Sequence, residues 1–419
     1  MKVRIENSNL SGSIEAISSK SQAHRLLICA AFAEKPTKIK CSTLSDDINA
    51  TVHVLNSLGA DISCDNSVFT VIPIKEVPKS AEIDVGESGS TLRFILPIVC
   101  ALGTKSKIKM HGKLSERPLS PLWEELVRHG AVLSKTDDVI LTDGKICGGE
   151  FNIQGNVSSQ FISGLMFALP LIEENSKINI IGKCESANYI KMTESAILDF
   201  GIEYEFIDGT YSIKGNNKYT SPEVLTVEGD WSNSAFWLCL GALKGPVTVT
   251  GLNMNSLQGD KSICDVLQKL GANVIYGKAS VTVSDGPLKG TTIDCSDIPD
   301  LVPALSAVAA VCEGETVFYN ASRLRIKESN RITAIINAVN NLGGEAVETD
   351  DGLKILGKPE LLGGTVNSYN DHRIAMMSAI LSPKCKNCVI IEDASAVNKS
   401  YPMFYSDFMA LGGKVEVII

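Results

Sequence analysis

No apolar run in this chain reaches the roughly 18 residues that a membrane-spanning helix requires, so a spanning segment is not expected. Positive charge is also scarce: 39 Lys and Arg stand against 48 Asp and Glu, for a net charge of −9 and a pI near 5.3. A sequence-independent nucleic-acid binder needs a basic face to displace counterions. Neither nucleic acid nor a membrane is therefore an expected partner, and any basic cluster must be local. The twelve cysteines follow no disulfide framework, and the start, Met1-Lys2-Val3-Arg4-Ile5-Glu6, carries no apolar signal stretch. Reduced thiols in a cytoplasmic protein are the expectation. Cys385-Lys386-Asn387-Cys388 is a lone C-x-x-C without a second pair or a nearby His. It reads as a turn after Pro383 and not as a metal knuckle.

What the chain does have is length and repetition. Its 419 residues, 44% hydrophobic, are enough for about two to three well-buried domains. A helix ending in Leu-Gly or its equivalent, followed by a strand, recurs six times. The glycines are Gly59, Gly130, Gly201, Gly271, Gly343 and Gly412, spaced by 69 to 72 residues. Glycine suits a left-handed helix C-cap that turns the chain directly into a strand. The fourth copy spells out the content: a strand at 225–228, a helix at 232–243, a strand at 247–252, a helix at 261–270 and a strand pair at 273–276 and 280–283. Ile263, Val266, Leu267 and Leu270 give the second helix one apolar stripe. The unit is βαβαββ. The sixth unit, from residue 365, stops one strand short, and residues 1–6 form a strand belonging to no unit, so the N-terminus is expected to complete the last unit. Three units then fall in residues 19–227 and three in residues 228–419 plus 1–18. Two crossings would join these domains, with a ligand cleft between them and hinge closure when the acceptor binds.

Residues 17–33 show what the helix starts are for. A short strand ends, a polar turn intervenes, and an apolar helix opens with Lys20, Ser21 and Arg25 on its first two turns. Helix N-termini present unpaired N–H groups and partial positive charge, so two cations and a hydroxyl added there describe a seat for a multiply charged anion. Taken alone, the stretch serves equally well as a solvated surface. Five further turns take the same place in their units: Glu87-Ser88-Gly89-Ser90, Val157-Ser158-Ser159-Gln160, Gly229-Asp230-Trp231-Ser232, Asp297-Ile298-Pro299-Asp300 and Asn370-Asp371-His372-Arg373. If each half is pseudo-threefold, its three first helices converge and point their N-termini toward the cleft. Ser, Asp and Asn are ordinary N-caps, which accounts for some of these residues but not for the arginines and lysines beside them.

Ser-Lys-Ser-x-x-x-Arg from Ser19, Glu-Ser-Gly-Ser-Thr-Leu-Arg from Glu87, Arg117-Pro118-Leu119, Ser158-Ser159-Gln160-Phe161, Val227-Glu228-Gly229-Asp230-x-Ser232, Ile298-Pro299-Asp300, Lys327-Glu328-Ser329-x-Arg331 and Asn370-Asp371-His372-Arg373 follow one another along essentially the whole chain. In that order they resemble the 5-enolpyruvylshikimate-3-phosphate synthase family of enolpyruvyl transferases. The resemblance implies an α/β fold: a two-domain inside-out α/β barrel of the EPT/RTPC-like kind, each domain three βαβαββ repeats, as the repeat already suggests. It implies transfer of the enolpyruvyl group of phosphoenolpyruvate to the 5-hydroxyl of shikimate 3-phosphate, releasing phosphate, in the shikimate pathway to chorismate and the aromatic amino acids. It further implies no metal or organic cofactor, a monomer, and a target of glyphosate.

By position in these motifs, shikimate 3-phosphate would be held by Lys20, Ser21 and Arg25, by Ser158, Ser159 and Gln160, by Ser186 with help from Tyr189, and by Asp300 and Lys327. Phosphoenolpyruvate would fall to Lys20, Gly89, Arg117, Gln160, Arg331, Arg373 and Lys399. Both substrates carry a phosphate and a carboxylate that repel each other, and arginine forks suit such anions. Asp300 and Glu328, with Lys20, would move the protons of an addition–elimination through a tetrahedral intermediate. Asp300 also reads as a helix cap and Glu328 as an ion-pair partner of Lys327 or Arg331. The resemblance favours catalysis for both. His372 reads as a hydrogen-bonding or structural histidine and not as a proton carrier.

Four positions depart from the family's pattern: Glu87 replaces an asparagine, Phe94 a proline, Arg323 an asparagine and Asn330 an aspartate. Gly89 is retained, which implies ordinary glyphosate sensitivity. The nearest rival activity, UDP-N-acetylglucosamine 1-carboxyvinyltransferase, shares the fold and phosphoenolpyruvate but carries Lys-Asn near its start and a loop cysteine. This chain has Lys20-Ser21 and no cysteine between Cys100 and Cys147. A noncatalytic anion-binding repeat protein is the rival from another class. Asp300 and Glu328 argue against it, because carboxylates weaken a mere anion scavenger.

Overall fold

In the computed structural model, which describes residues 1–418, all six recurring glycines lie just past a helix with φ between 76° and 113°. The helices are Asp46–Ser57, Leu122–Arg128, Ala187–Asp199, Ile263–Leu270, Arg331–Asn341 and Phe404–Ala410, and a strand begins two or three residues after each glycine. A Cβ is strained at that φ, which explains why the same residue recurs.

The chain divides into two compact units, Lys20–Val227 and Met1–Ser19 with Glu228–Ile419. Ile419, the last residue of the expected second domain, lies outside the described residues. Each unit has its own apolar core and three four-stranded sheets. The sheet order is constant. The first strand runs parallel to the second, the second is antiparallel to the fourth, and the third sits on the edge. Ser80–Asp84, Lys105–Lys109, Val139–Asp143 and Val132–Thr136 illustrate it.

The sixth sheet takes its missing strand from the N-terminus, as the repeat predicts. Lys2–Glu6 lies between Val389–Glu392 and Lys414–Ile418, with Val3 opposite both Ile391 and Val417. The fourth unit differs from expectation at its start. Its first strand is not at 225–228: Gly12–Glu15 takes that place, parallel to Val247–Thr250. The strand Val224–Thr226 instead pairs with Thr37–Lys40, in the sheet of the first unit. Each unit of the molecule is thus closed by a strand from the far end of its own segments, which covers a sheet edge that would otherwise be open. Periodicity alone assigns a strand to the helix that follows it, and here the chain leaves the unit between the two.

Inside each unit the first helices are buried on nearly every side. All ten residues of His372–Leu381 and all eight of Val302–Ala309 are buried. In Trp231–Lys244, Gly89–Leu102 and Ser159–Ala168 the residues that stay partly exposed are Ser232, Ser90 and Gln160 in the first turn, besides Lys244 and Leu102 at the far ends. Helices therefore form the centre of each unit and sheets its outside, and the partly exposed residues of these helices lie at their ends. Among the described residues no helix is long and apolar enough to cross a membrane, and all twelve cysteines are free.

Because the N-terminal strand is interior to its sheet and Ile5 is fully buried, Ile5→Ala is expected to destabilise that unit by ~2–5 kcal/mol. Urea denaturation beside the exposed-position control Arg4→Ala checks this, and equal losses would count against the assignment.

Candidate active site

In the unit Lys20–Val227 the first helix opens on Lys20, whose Nζ donates to Asp47 Oδ2 at 2.6 Å. Asp47 lies in the first turn of Asp46–Ser57, where Ser45 caps the helix. One helix turn further in, Arg25 is almost fully buried. It donates from Nε to Thr193 Oγ1 at 2.8 Å, from Nη1 to the Ser21 carbonyl at 2.6 Å and from Nη2 to the Tyr189 carbonyl at 2.8 Å. Burial pulls its pKa down to about 10, and its guanidinium carbon stands 5.1 Å from the centre of the Phe94 ring. A hydrogen-bonded chain ties the same helix to the next first helix: His24 Nδ1 to Thr51 Oγ1, Thr51 to Thr91 Oγ1, and Thr91 to Ser88 Oγ, with links of 2.7, 2.7 and 2.8 Å.

Ser88 caps Gly89–Leu102 and Ser158 caps Ser159–Ala168. The two N-termini are joined where Gln160 Nε2 donates to Ser90 Oγ at 2.8 Å. Gly89 is needed for close approach. A Cβ there would lie 2.6 Å from Arg117 Nη1 and 2.7 Å from Arg93 Nη1. Ser186 holds a left-handed backbone, φ 55°, just before Ala187–Asp199, a conformation that costs free energy in any residue but glycine. Helix N-terminal amides, Lys20, Arg117 and the hydroxyls of Ser90 and Ser158 give this end of the unit the chemistry an anion seat requires.

The other unit gathers its three first-helix starts around Arg373. Nη1 donates to the Asp300 carbonyl at 2.8 Å and Nη2 to Ser232 Oγ at 2.6 Å, while the backbone N–H of Arg373 is capped by Asp371 at 2.9 Å. One arginine therefore bonds the starts of Trp231–Lys244, of the turn Pro299–Leu301 before Val302–Ala309, and of His372–Leu381. Next to it Arg331, 1% exposed, is held by three carboxylates: Nε to Asp371 Oδ2 at 2.8 Å, Nη1 to Asp300 Oδ1 at 2.7 Å and Nη2 to Glu328 Oε2 at 2.5 Å. Lys327 Nζ stands 3.5 Å from Asp300 Oδ1, and Lys399 Nζ donates to the Asn370 carbonyl at 2.6 Å. Burial pushes the Asp300 carboxyl up, but Lys327, Arg373 and Arg331 outweigh it and hold the group well below the usual carboxylate range. Burial lowers the Lys327 ammonium against the pull of Asp300.

The structure thus brings Lys20, Ser21 and Arg25 together on one helix start, Gly89 with Arg117, Ser158 and Ser159 with Gln160, and Asp300, Glu328, Lys327, Arg331 and Arg373 around shared hydrogen bonds. Asp300 does not act as a helix cap. Its carboxylate lies against cations and its carbonyl accepts from Arg373. Glu328 does pair with Arg331, so its structural role is real. The partners of these groups were not legible in the chain: Asp47 for Lys20, Asp371 for Arg331 and Ser232 for Arg373, respectively 27, 40 and 141 residues away. Asp46-Asp47 after Ser45 reads only as an acidic helix start, and no local pattern points it at Lys20. The departures are accommodated. The Glu87 carboxylate packs against Gly112, where a Cβ would lie 2.7 Å from it. Asn330 keeps the cap of Arg331–Asn341 by accepting from Thr333 N, and Arg323 Nη2 donates to the Ser296 carbonyl. Among the described residues no group of three or more His, Cys, Asp or Glu is placed to hold a metal ion.

The fold is that of the enolpyruvyl transferases. It is similar to EPSP synthase from Acinetobacter baumannii, with a TM-score of 0.81 at 23% identity over 99% of this chain and 100% of that one. It is also similar to the enolpyruvyl transferase NikO from Streptomyces tendae, with a TM-score of 0.80 at 16% identity over 99% and 98%. The sequence is more specific. The EPSP synthase (3-phosphoshikimate 1-carboxyvinyltransferase) family profile matches residues 5–408. Relatives described as 3-phosphoshikimate 1-carboxyvinyltransferase include one from Clostridium acetobutylicum, 44% identical over 99% of this chain and 98% of its own, and one from Clostridium beijerinckii, 42% identical over 98% and 97%. The chain belongs to the EPSP synthase family.

Removing one partner from a buried ionic cluster leaves charges without compensation. Arg331→Met is expected to lower stability by ~3–5 kcal/mol. Lys2→Ala, which breaks the exposed Lys2–Glu392 pair, should leave stability nearly unchanged, because solvent screens an exposed pair. Thermal unfolding of the two variants checks the contrast.

Proposed function

We propose that this chain transfers the enolpyruvyl group of phosphoenolpyruvate to the 5-hydroxyl of shikimate 3-phosphate and releases inorganic phosphate. The observation that carries the reading is the cluster around Arg331. Two carboxylates, Asp300 and Glu328, sit on adjacent nitrogens of one buried guanidinium, beside Arg373 and Lys327. An anion-binding protein has no use for carboxylates there, whereas addition–elimination needs groups that give and take protons beside cations that hold anions.

In this reading Lys20, Ser21, Arg25, Ser158, Ser159, Gln160 and Ser186 hold shikimate 3-phosphate, with Asp300 and Lys327 reaching it. Lys20, Gly89, Arg117, Gln160, Arg331, Arg373 and Lys399 hold phosphoenolpyruvate. The substrate methylene gains a proton as the 5-hydroxyl oxygen bonds to the adjacent carbon and loses its own. The methyl group of the tetrahedral intermediate then returns a proton as the carbon–oxygen bond to phosphate breaks. Asp300, Glu328 and Lys20 handle these protons. Asp300 is ionised before substrates bind, ready to accept one. When substrate phosphates and carboxylates engage Arg373 and Lys327, these cations are shared with them, and the basicity of Asp300 rises toward what proton transfer requires. The chain is proposed to act as a cytoplasmic monomer.

Phosphate release from the two substrates together, and none when UDP-N-acetylglucosamine replaces shikimate 3-phosphate, is the expected outcome of a direct assay. Asp300→Ala should lower kcat by roughly a hundredfold to ten-thousandfold, the usual contribution of a positioned acid–base group. Retained turnover in that variant would remove Asp300 from the mechanism. Gly89→Ala sets a Cβ against the side-chain ends of Arg117 and Arg93, and should raise KM for phosphoenolpyruvate while loosening inhibition by glyphosate. A wild-type enzyme that keeps full turnover at high glyphosate would contradict this account of Gly89.

A further inference from the structure

His24 fills an unspecified position of the motif that opens at Ser19, and Thr51 lies outside every motif that carries the family resemblance. Both are buried, as are Thr91 and Ser88. Two rungs join the helix Lys20–Ala31 to Asp46–Ser57, the second set four residues further along each helix than the first. Lys20 Nζ reaches Asp47 Oδ2 at the first rung, and His24 Nδ1 lies 2.7 Å from Thr51 Oγ1 at the second. The second rung continues into a third helix. Thr51 Oγ1 lies 2.7 Å from Thr91 Oγ1, and Thr91 Oγ1 donates to Ser88 Oγ at 2.8 Å. Ser88 Oγ also accepts from the Thr91 backbone N–H at 3.3 Å and so caps Gly89–Leu102.

The hydrogens of this chain run one way, because each hydroxyl has a single hydrogen to give. Thr91 gives its own to Ser88, so Thr91 Oγ1 accepts from Thr51. The Thr51 hydrogen is then in use, and Thr51 Oγ1 accepts from His24 Nδ1–H. The imidazole agrees with this direction. Its Nε2 is buried and has no hydrogen-bond partner among the described residues, and a proton there would bury an N–H with no acceptor. Burial, with Lys20 and Arg25 adding to it, holds the ring's pKa well below its usual value. The ring is therefore neutral and carries its one hydrogen on Nδ1. No member of the chain is open to water that could replace a lost link, and in such surroundings successive hydrogen bonds reinforce one another.

Building on the function proposed above, we propose that His24 is a positioning residue for enolpyruvyl transfer: acting through Thr51 and Thr91, its Nδ1–H fixes Ser88 and with it the first turn of Gly89–Leu102, where phosphoenolpyruvate is received. It does not touch substrate. Gly89 and Ser90 follow Ser88 directly, and Ser90 Oγ accepts from Gln160 Nε2 on the neighbouring helix start at 2.8 Å. Once a link is removed, nothing obliges Thr91 to give its hydrogen to Ser88. Ser88 then loses the shorter of the two bonds it accepts, and the turn that carries Gly89 loosens.

Steady-state kinetics on His24→Phe, Thr51→Val, Thr91→Val, the double variant of His24→Phe with Thr51→Val, and Thr51→Ser test this. Each of the first three breaks the chain with little change of shape. Each is expected to raise KM for phosphoenolpyruvate roughly threefold to tenfold, the scale of one hydrogen bond, with kcat little changed. KM for shikimate 3-phosphate should stay unchanged in Thr51→Val and Thr91→Val. The double variant should be no worse than the worse single one, since both break one chain, and Thr51→Ser, which keeps the hydroxyl, should behave as wild type. A merely structural chain would lower melting temperatures and leave KM for phosphoenolpyruvate where it was, and that result would overturn the inference. Long-range proton–nitrogen NMR of the wild type reads the direction of the chain even if a variant fails to fold: the His24 ring should be neutral and protonated on Nδ1. A proton on Nε2, additive single effects, or a Thr51→Ser enzyme as impaired as Thr51→Val would also overturn the inference while the proposed function stands. Absence of turnover in the wild type would overturn both.

Discussion

A helix buried on all sides can satisfy its backbone everywhere except at its ends, and this constraint governs the whole molecule. Val302–Ala309 and His372–Leu381 have no exposed residue, so the unpaired amides of their first turns must find partners within a few ångströms. Capping side chains take some of them: Asp371, Asp230, Ser88 and Ser158 each accept from a first-turn N–H. Within each unit the starts of several such helices are drawn together, and their partial positive charges add. A local excess of positive potential follows from the way the core is packed, before any cationic side chain is placed.

Side-chain cations then raise the charge density further, and the molecule meets this with carboxylates of its own. Lys20 lies on Asp47, Arg331 on Asp300, Glu328 and Asp371, and Arg373 on the Asp300 carbonyl and Ser232. An arginine as deeply buried as Arg331 is tolerable only because every edge of its fork is answered by an acid. The same acids are the groups a proton-transfer mechanism requires. In the proposed function, charge balance of the folded chain and chemistry on an anionic substrate pair fall to one set of residues, which makes Asp300 at once a structural counter-ion and the candidate base.

The fold was legible from spacing to an unusual degree, because one physical requirement repeats. Six times a helix ends at a position that only glycine tolerates without strain, and the interval between those glycines measures the unit. The N-terminal strand at 2–6 followed by subtraction, since one unit lacked a strand and one strand lacked a unit. The starts of the first and fourth units were not legible. Pairing of Gly12–Glu15 with Val247–Thr250, and of Val224–Thr226 with Thr37–Lys40, joins segments about two hundred residues apart. Periodicity reports which face a strand buries, not which sheet it enters.

The sequence by itself therefore determined the repeating unit, the family and the identities of the cations, since each leaves a local mark: a glycine after a helix, or an arginine beside a polar helix start. Only the tertiary structure decided which acid answers which base and that Asp300 is no cap. Hydrogen bonds and ion pairs act over about three ångströms of space whatever the distance along the chain, so such partnerships exist only once the units have closed.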